Sequence, residues 1–147
     1  MIKKCINWVK SKSRDEISIQ TSLDLADLPI ITFKQGDKKY NFLLDTGSSC
    51  NIIDSNILDT LVYEKVEGEG ELVGAEGIIK KAEGCIIRFF YKETFYKYLY
   101  LIKDLKDAFS YIKQETGVNL HGIIGTAFFT EYKYVLDFDR LVGYSKK

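Results

Sequence analysis

The spacing of apolar residues changes at Glu16, and that change divides the chain. Before it, Ile2, Cys5, Ile6 and Val9 share one stripe at helical spacing, with Lys3, Lys4 and Lys10 off the stripe. This predicts a basic amphipathic helix or a loose tail over residues 1–15. After it, "ISIQTSL" alternates Ile17, Ile19, Thr21 and Leu23 on one side, the period of a half-buried strand. "DLADLP" interrupts the pattern. "IITFKQGDKKYNFLLD" then predicts two strands about a turn at Gln35-Gly36-Asp37, with Tyr40, Phe42 and Leu44 on one face of the second. The second strand ends in a continuous apolar run, as a strand covered on both faces does.

Further along, "DSNILDTL" offers Asp54 as the N-cap of a short helix carrying Ile57, Leu58 and Leu61. Five glycines fall in the seventeen residues from Gly68 to Gly84, alternating with apolar pairs. That pattern predicts a flexible hairpin whose tip is "GAEG": Gly74, Ala75, Glu76 and Gly77. A phosphate-cradling loop would need GxGxxG spacing, and Glu67, Glu69, Glu71 and Glu76 would repel a phosphate. "CIIRFFYKETFYKYLYLI" predicts two aromatic strands about Lys92-Glu93. A platform for single-stranded nucleic acid has a similar look but requires a basic groove, so core and sheet packing is the reading adopted. "DLKDAFSYIKQETG" predicts a helix from Asp104 to Gln114, with Leu105, Ala108, Phe109 and Ile112 on one face and Gly117 at its end. A short apolar strand, a helical turn from Thr126 to Tyr132 and a hairpin turning at Asp139-Arg140 close the chain. The sum is a mostly β domain over residues 16–147 with two or three short helices.

Composition narrows the class. A chain of 147 residues with 46% apolar and 29% charged residues can bury a core as one globular domain. Lys plus Arg equals Asp plus Glu at 21 each, so no overall field favours nucleic acid, and no nucleic-acid partner is expected. The three cysteines are odd in number and scattered, and His121 is the single histidine. Neither a disulfide framework nor a zinc site follows, and no metal or cofactor is expected. Lysines break up the N-terminal apolar residues before a signal-peptide core forms, and no stretch approaches the roughly 20 apolar residues of a membrane span. The expectation is a cytoplasmic protein with no membrane contact.

One short stretch carries candidate chemistry. "FLLDTGSSCNI" runs an apolar strand into Asp45, Thr46, Gly47 and Ser48, and "GIIG" follows near the C-terminus as Gly122 to Gly125. With the glycine-rich hairpin between them, these segments resemble the retropepsin-like aspartic proteases, single-lobed relatives of pepsin. In that family an apolar-apolar-Asp-Thr/Ser-Gly-Ala/Ser loop is held by a later apolar-apolar-Gly segment. The resemblance covers about residues 17 to 145. It implies an all-β fold, a closed acid-protease-like barrel of a single lobe, and hydrolysis of peptide bonds in a peptide or protein substrate.

Amide hydrolysis by water needs a base for the water's proton and an acid for the carbonyl oxygen or leaving amine. Two carboxylates about 3 Å apart supply both, because they share one proton. The chain holds a single Asp-Thr-Gly, so the resemblance implies a homodimer in which two copies of Asp45 meet across a two-fold axis. It implies further roles. Thr46 would bond the partner's loop, Gly47 would donate its amide to the carboxylate, and Ser48 would donate a hydroxyl to it, giving an acidic to near-neutral optimum. Ile123, Ile124 and Gly125 would support the loop, and Gly74 to Gly77 would form a flap over an extended peptide. Retroviral members place an Asp directly after Asp-Thr-Gly-Ala and an Arg after the apolar-apolar-Gly, forming an ion pair. Here those positions are Ser49 and Thr126, so dimerisation in the retroviral manner is not implied.

Other residues read as structural. His121 has no nucleophile beside it and is expected to pack at a strand end. Cys50 lacks a paired base and is expected to pack, and Asp137 and Asp139 are expected to be hairpin acids. Three readings remain: a homodimeric endopeptidase, the same fold as a catalytically silent binding or dimerisation domain, and an unrelated β-barrel for a small apolar ligand.

Overall fold

The computed structural model describes residues 15–73, 77 and 79–147. The predicted tail helix with Ile2, Cys5, Ile6 and Val9, and the hairpin-tip residues Gly74, Ala75 and Glu76, lie outside the described residues.

The elements follow in the order β1 (Ile17–Ser18), α1 (Gln20–Ala26), β2 (Ile30–Gln35), β3 (Lys38–Leu44) and β4 (Asn51–Asp54). A 3-10 helix (Ser55–Thr60) leads to β5 (Tyr63–Val73), β6 (Ile79–Tyr91), β7 (Thr94–Lys103) and α2 (Lys106–Thr116). Then come β8 (Gly122–Ile124), α3 (Thr126–Glu131), β9 (Tyr134–Asp137) and β10 (Val142–Ser145). Seven strands form one sheet in the order β2-β3-β8-β4-β7-β6-β5, and a β2–β6 pairing at Lys34 and Phe90 closes six of them into a barrel. β1, β10 and β9 form a second, three-stranded sheet. The mostly β expectation holds, with three short α-helices and one 3-10 helix among the described residues.

The sequence alternation becomes the two faces of the barrel wall. Phe33, Phe42, Phe89, Tyr96 and Tyr100 point inward and are almost wholly buried. Their rings meet at offset or edge geometries, with Phe42 and Phe89 centroids 5.0 Å apart. β3, β8 and β4 are covered on both sides. Phe42, Leu44, Ile53 and Ile124 face the barrel core. Leu43, Ile52 and Ile123 face a second cluster built with Leu105, Phe109 and Leu120 around α2. This double cover is what the unbroken apolar end of β3 predicted.

Several expectations need correction. The alternation at "ISIQTSL" does not continue as a strand, because the chain turns into α1 after the fully buried Ile19. Ile19 and Leu23 stand four residues apart and so share a helix face as readily as a strand face. The amide of Leu23 donates to the Ile19 carbonyl (3.1 Å), and Gln20 bonds Asp24 one turn on. The helix around Phe109 begins at Lys106, and Ala108 is exposed rather than inward. β4 is a strand that its four-residue pattern did not predict, and all four of its residues are buried. The other elements fall where the pattern puts them. Gly36 opens the β2–β3 turn at φ 63°, β5 and β6 form the glycine-rich hairpin, and Lys92 turns β6 into β7 at φ 52°. Asp137 accepts from the amides of Asp139 and Arg140 in the last hairpin.

Candidate active site

Asp45 directly follows β3, and residues 45–50 carry the chain across to β4. β8 lies between those two strands, parallel to β3 (Leu44 opposite Ile124) and antiparallel to β4 (Ile52 opposite Ile123). The loop therefore spans the end of β8, and its backbone is fastened there. The Asp45 amide donates to the Ile124 carbonyl (2.9 Å), and the amides of Thr126 and Ala127 donate to the carbonyls of Ser48 (2.8 Å) and Ser49 (3.2 Å). The sequence segments "LLDTGSS" and "IIGTA", far apart in the chain, are brought together by these bonds.

Gly125 is the close contact in this arrangement. A Cβ there would stand 2.4 Å from the Cys50 carbonyl oxygen and 2.6 Å from that of Ser48. Both are backbone atoms with no room to yield, so glycine is required by space. Its amide donates to Asn51 Oδ1 (2.9 Å). Asn51 is fully buried and was not singled out from sequence. Its signal is an amide residue opening the apolar run "NII" immediately after the loop. Ile124 is sealed in the barrel core while Ile123 packs in the second cluster, which pins β8 to both layers.

The Asp45 side chain is half-buried. Its Oδ1 accepts from the Gly47 amide (2.8 Å), and Oδ2 has no partner among the described residues. A Cβ on Gly47 would lie 3.1 Å from that same Oδ1, so the glycine lets its amide approach the carboxylate. Thr46 is exposed and its hydroxyl has no partner among the described residues. Ser48 departs from expectation: its Oγ donates to the Cys50 carbonyl (2.7 Å), not to the Asp45 carboxylate. Gly77 is exposed at φ 78°, and the remaining flap residues Gly74, Ala75 and Glu76 lie outside the described residues.

Neighbouring groups are structural. His121 Nδ1 accepts from the Asn41 amide (2.9 Å), and its ring meets Tyr40 edge-on at 5.4 Å. Burial lowers its pKa, partly offset by the charge of Asp54. Burial raises the Cys50 thiol, with the hydroxyls of Ser49 and Ser48 opposing, the direction that disfavours the thiolate. Asp54 caps the 3-10 helix as predicted, and its Oδ1 also takes the Leu105 amide (3.1 Å), which ties α2 to β4. Among the described residues no group of three or more His, Cys, Asp or Glu could hold a metal ion. Among them, too, no helix is long and apolar enough to cross a membrane.

No family model matches the chain, and no curated protein matches it. Chemical meaning must therefore come from the geometry. One rigidly held carboxylate, half-exposed and with one free oxygen, can act as an acid or as a base in a given step. It cannot act as both at once.

Proposed function

We propose that the chain is a retropepsin-like aspartic endopeptidase whose dyad forms from two copies of Asp45 in a homodimer. The observation that carries this reading is the fastening of the Asp45 loop. Backbone bonds to Ile124, Thr126 and Ala127 and a glycine-only contact at Gly125 hold the loop on its scaffold. That investment leaves Asp45 Oδ2 unengaged, where a second carboxylate and a water would complete an acid–base pair. The closed barrel and the strand-loop-strand straddling β8 also suit the acid-protease-like fold.

In this reading the two carboxylates share one proton. The ionised one takes a proton from the attacking water while the protonated one donates to the carbonyl oxygen, so both states are needed together. The end of the β5–β6 hairpin pairs only with itself beyond Gly84. It is the element that would close on an extended peptide as an added strand. At the positions where retroviral members carry an ion pair, Ser49 and Thr126 join the loop and α3 through backbone bonds, so the dimer contact is expected to differ from theirs.

The test is cleavage of a mixed peptide library by the full chain and by Asp45→Asn. The wild type should cleave, with inhibition by a statine-type transition-state analogue, and the variant should be inactive with unchanged circular dichroism and melting. Equal cleavage by the variant would overturn the proposal. A folded wild type that cleaves nothing at high concentration would favour the silent binding domain.

A further inference from the structure

The outer face of β5, β6 and β7 does not behave as ordinary barrel exterior. Of the exposed large apolar side chains among the described residues, Val62, Phe90, Phe95 and Leu99 gather on this face, with Val62 80% and Phe95 51% exposed. Cross-strand register arranges them in rows: Phe90 opposite Phe95, Arg88 opposite Lys97, and Ile86 opposite Leu99. A row of cations thus lies between two apolar rows. Successive rows are about 7 Å apart, two residues along a strand.

The cations continue beyond the barrel seam. Lys34 pairs with Phe90 across the β2–β6 closure and stands directly opposite Lys39 on β3. Two like charges facing each other across a ladder are unfavourable. None of Lys34, Lys39, Arg88, Lys92 and Lys97 has a salt-bridge partner among the described residues. Two depressions of about 380 and 830 Å3 meet at Phe90, and Glu64 is the one carboxylate among the described residues lining them. Arg88 lies over the Phe95 ring (5.0 Å) and Lys92 over that of Tyr91 (5.4 Å). In a chain with no net charge, five cations without a salt bridge among the described residues, against one acid, mark a segregated face.

We propose that this face docks a peptide segment of a partner protein that alternates apolar and acidic side chains. Its carboxylates meet Arg88 and Lys97 in the middle row and Lys34 and Lys39 at the seam. Its apolar side chains cover the Phe90–Phe95 and Ile86–Leu99 rows, which monomeric surfaces rarely expose as a contiguous patch. Charge complementarity selects the acidic partner, and the aliphatic rows favour a peptide over a nucleic acid, which gains little from Ile86, Leu99 or Val62. The surface is separate from the Asp45 loop, so the inference goes beyond the proposed catalytic reading and survives its failure.

The experiment is fluorescence anisotropy with the full-length Asp45→Asn chain and three labelled probes: a short Leu-Glu alternating peptide, its Leu-Lys counterpart, and an oligothymidylate. The Leu-Glu peptide should bind, with affinity falling as salt rises, and the other two should bind at least about tenfold more weakly. The surface variant Arg88→Glu/Lys97→Glu should lose at least about tenfold for the Leu-Glu probe while its melting temperature is kept. Phe95→Ser should weaken binding without changing the salt dependence. Tighter binding of oligothymidylate would assign the face to nucleic acid and overturn the proposal. No Leu-Glu binding, binding no tighter than to the Leu-Lys peptide, or indifference to the Arg88/Lys97 reversal would overturn it as well.

Discussion

At the scale of single residues, the site depends on atoms that leave no space. A methyl group on Gly125 would press on two carbonyl oxygens at 2.4 and 2.6 Å, and both belong to the loop that carries Asp45. Gly125→Ala is therefore expected to cost about 1–3 kcal/mol of stability, the range of overpacked interiors, read as a lower urea midpoint. A loss under about 0.5 kcal/mol, the ordinary range of a neutral surface change, would mean the loop is not seated as described. His121 gives a prediction with a sign. Its folded pKa lies below the ordinary value of 6.5 because burial disfavours the imidazolium. Protonation would also end the acceptance from Asn41. Above about pH 6.5 both folded and unfolded states are neutral and nothing is lost. As pH falls below that value the unfolded state binds the proton first, so stability declines until the folded pKa is passed. In an Asp45→Asn background, which removes any titration of the dyad, the urea midpoint should fall between roughly pH 7 and pH 5. His121→Asn, which keeps an acceptor near Nδ1, should flatten that fall. An unchanged slope in the variant would assign the pH dependence to other groups.

At the scale of elements, the long β5–β6 hairpin shows how a local irregularity shapes a functional arm. Its register shifts between Val66 and Glu69, a bulge at which Gly68 adopts φ 98°. A bulge bends the ladder and strengthens its twist. A Cβ on Gly68 would meet nothing within 4 Å, so Gly68→Ala isolates backbone strain from crowding. It should cost about 1 kcal/mol and, in the peptidase reading, raise KM more than it lowers kcat by re-aiming the arm. A stability identical to wild type would show that the bulge can be absorbed elsewhere. Elements of this kind were legible because their patterns are long. The hairpin was read from its glycines and the aromatic strand from Cys85 onward, and the structure joins the two as one thirteen-residue β6. The short pieces were not legible. Ile17 to Leu23 satisfies both a strand and a helix pattern. The Ile19 amide makes the last bond to the neighbouring segment, at the Leu141 carbonyl (2.9 Å), and the Leu23 amide then turns back to the Ile19 carbonyl as helix. β4 has four residues, too few for a period to declare itself, and it exists because β7 and β8 flank it. The site divides in the same way. Asp45, Gly47 and Gly125 were singled out because "FLLDTGSS" and "GIIG" resemble a family motif. Asn51 was not, since its role rests on a contact 74 residues away in the chain.

At the scale of the whole molecule, the peptidase reading requires a second carboxylate beside Asp45. The chain holds a single Asp-Thr-Gly, and Asp45 Oδ2 and the Thr46 hydroxyl lack partners among the described residues. Groups left open on one rigid loop can be satisfied by the same loop of a second copy, since a two-fold axis places a patch against itself. The peptidase reading then fixes a kinetic law. Below the dimer dissociation constant, rate should rise with the square of total chain concentration, and above it linearly. Subunit mixing makes the stronger experiment, because it does not require the dissociation constant. A dimer of one wild-type chain and one Asp45→Asn chain has a single ionisable carboxylate and cannot hold acid and base together. Adding an excess of folded Asp45→Asn chain to a fixed amount of wild type should therefore suppress cleavage as heterodimers replace homodimers. A control excess of wild type heated to unfold it should not. If each wild-type chain worked alone, the mixture would keep its full rate at every ratio, and the dyad would have to be sought within one chain. Suppression that tracks the statistical fraction of heterodimer would instead locate the reaction at the two-fold axis between two copies of Asp45.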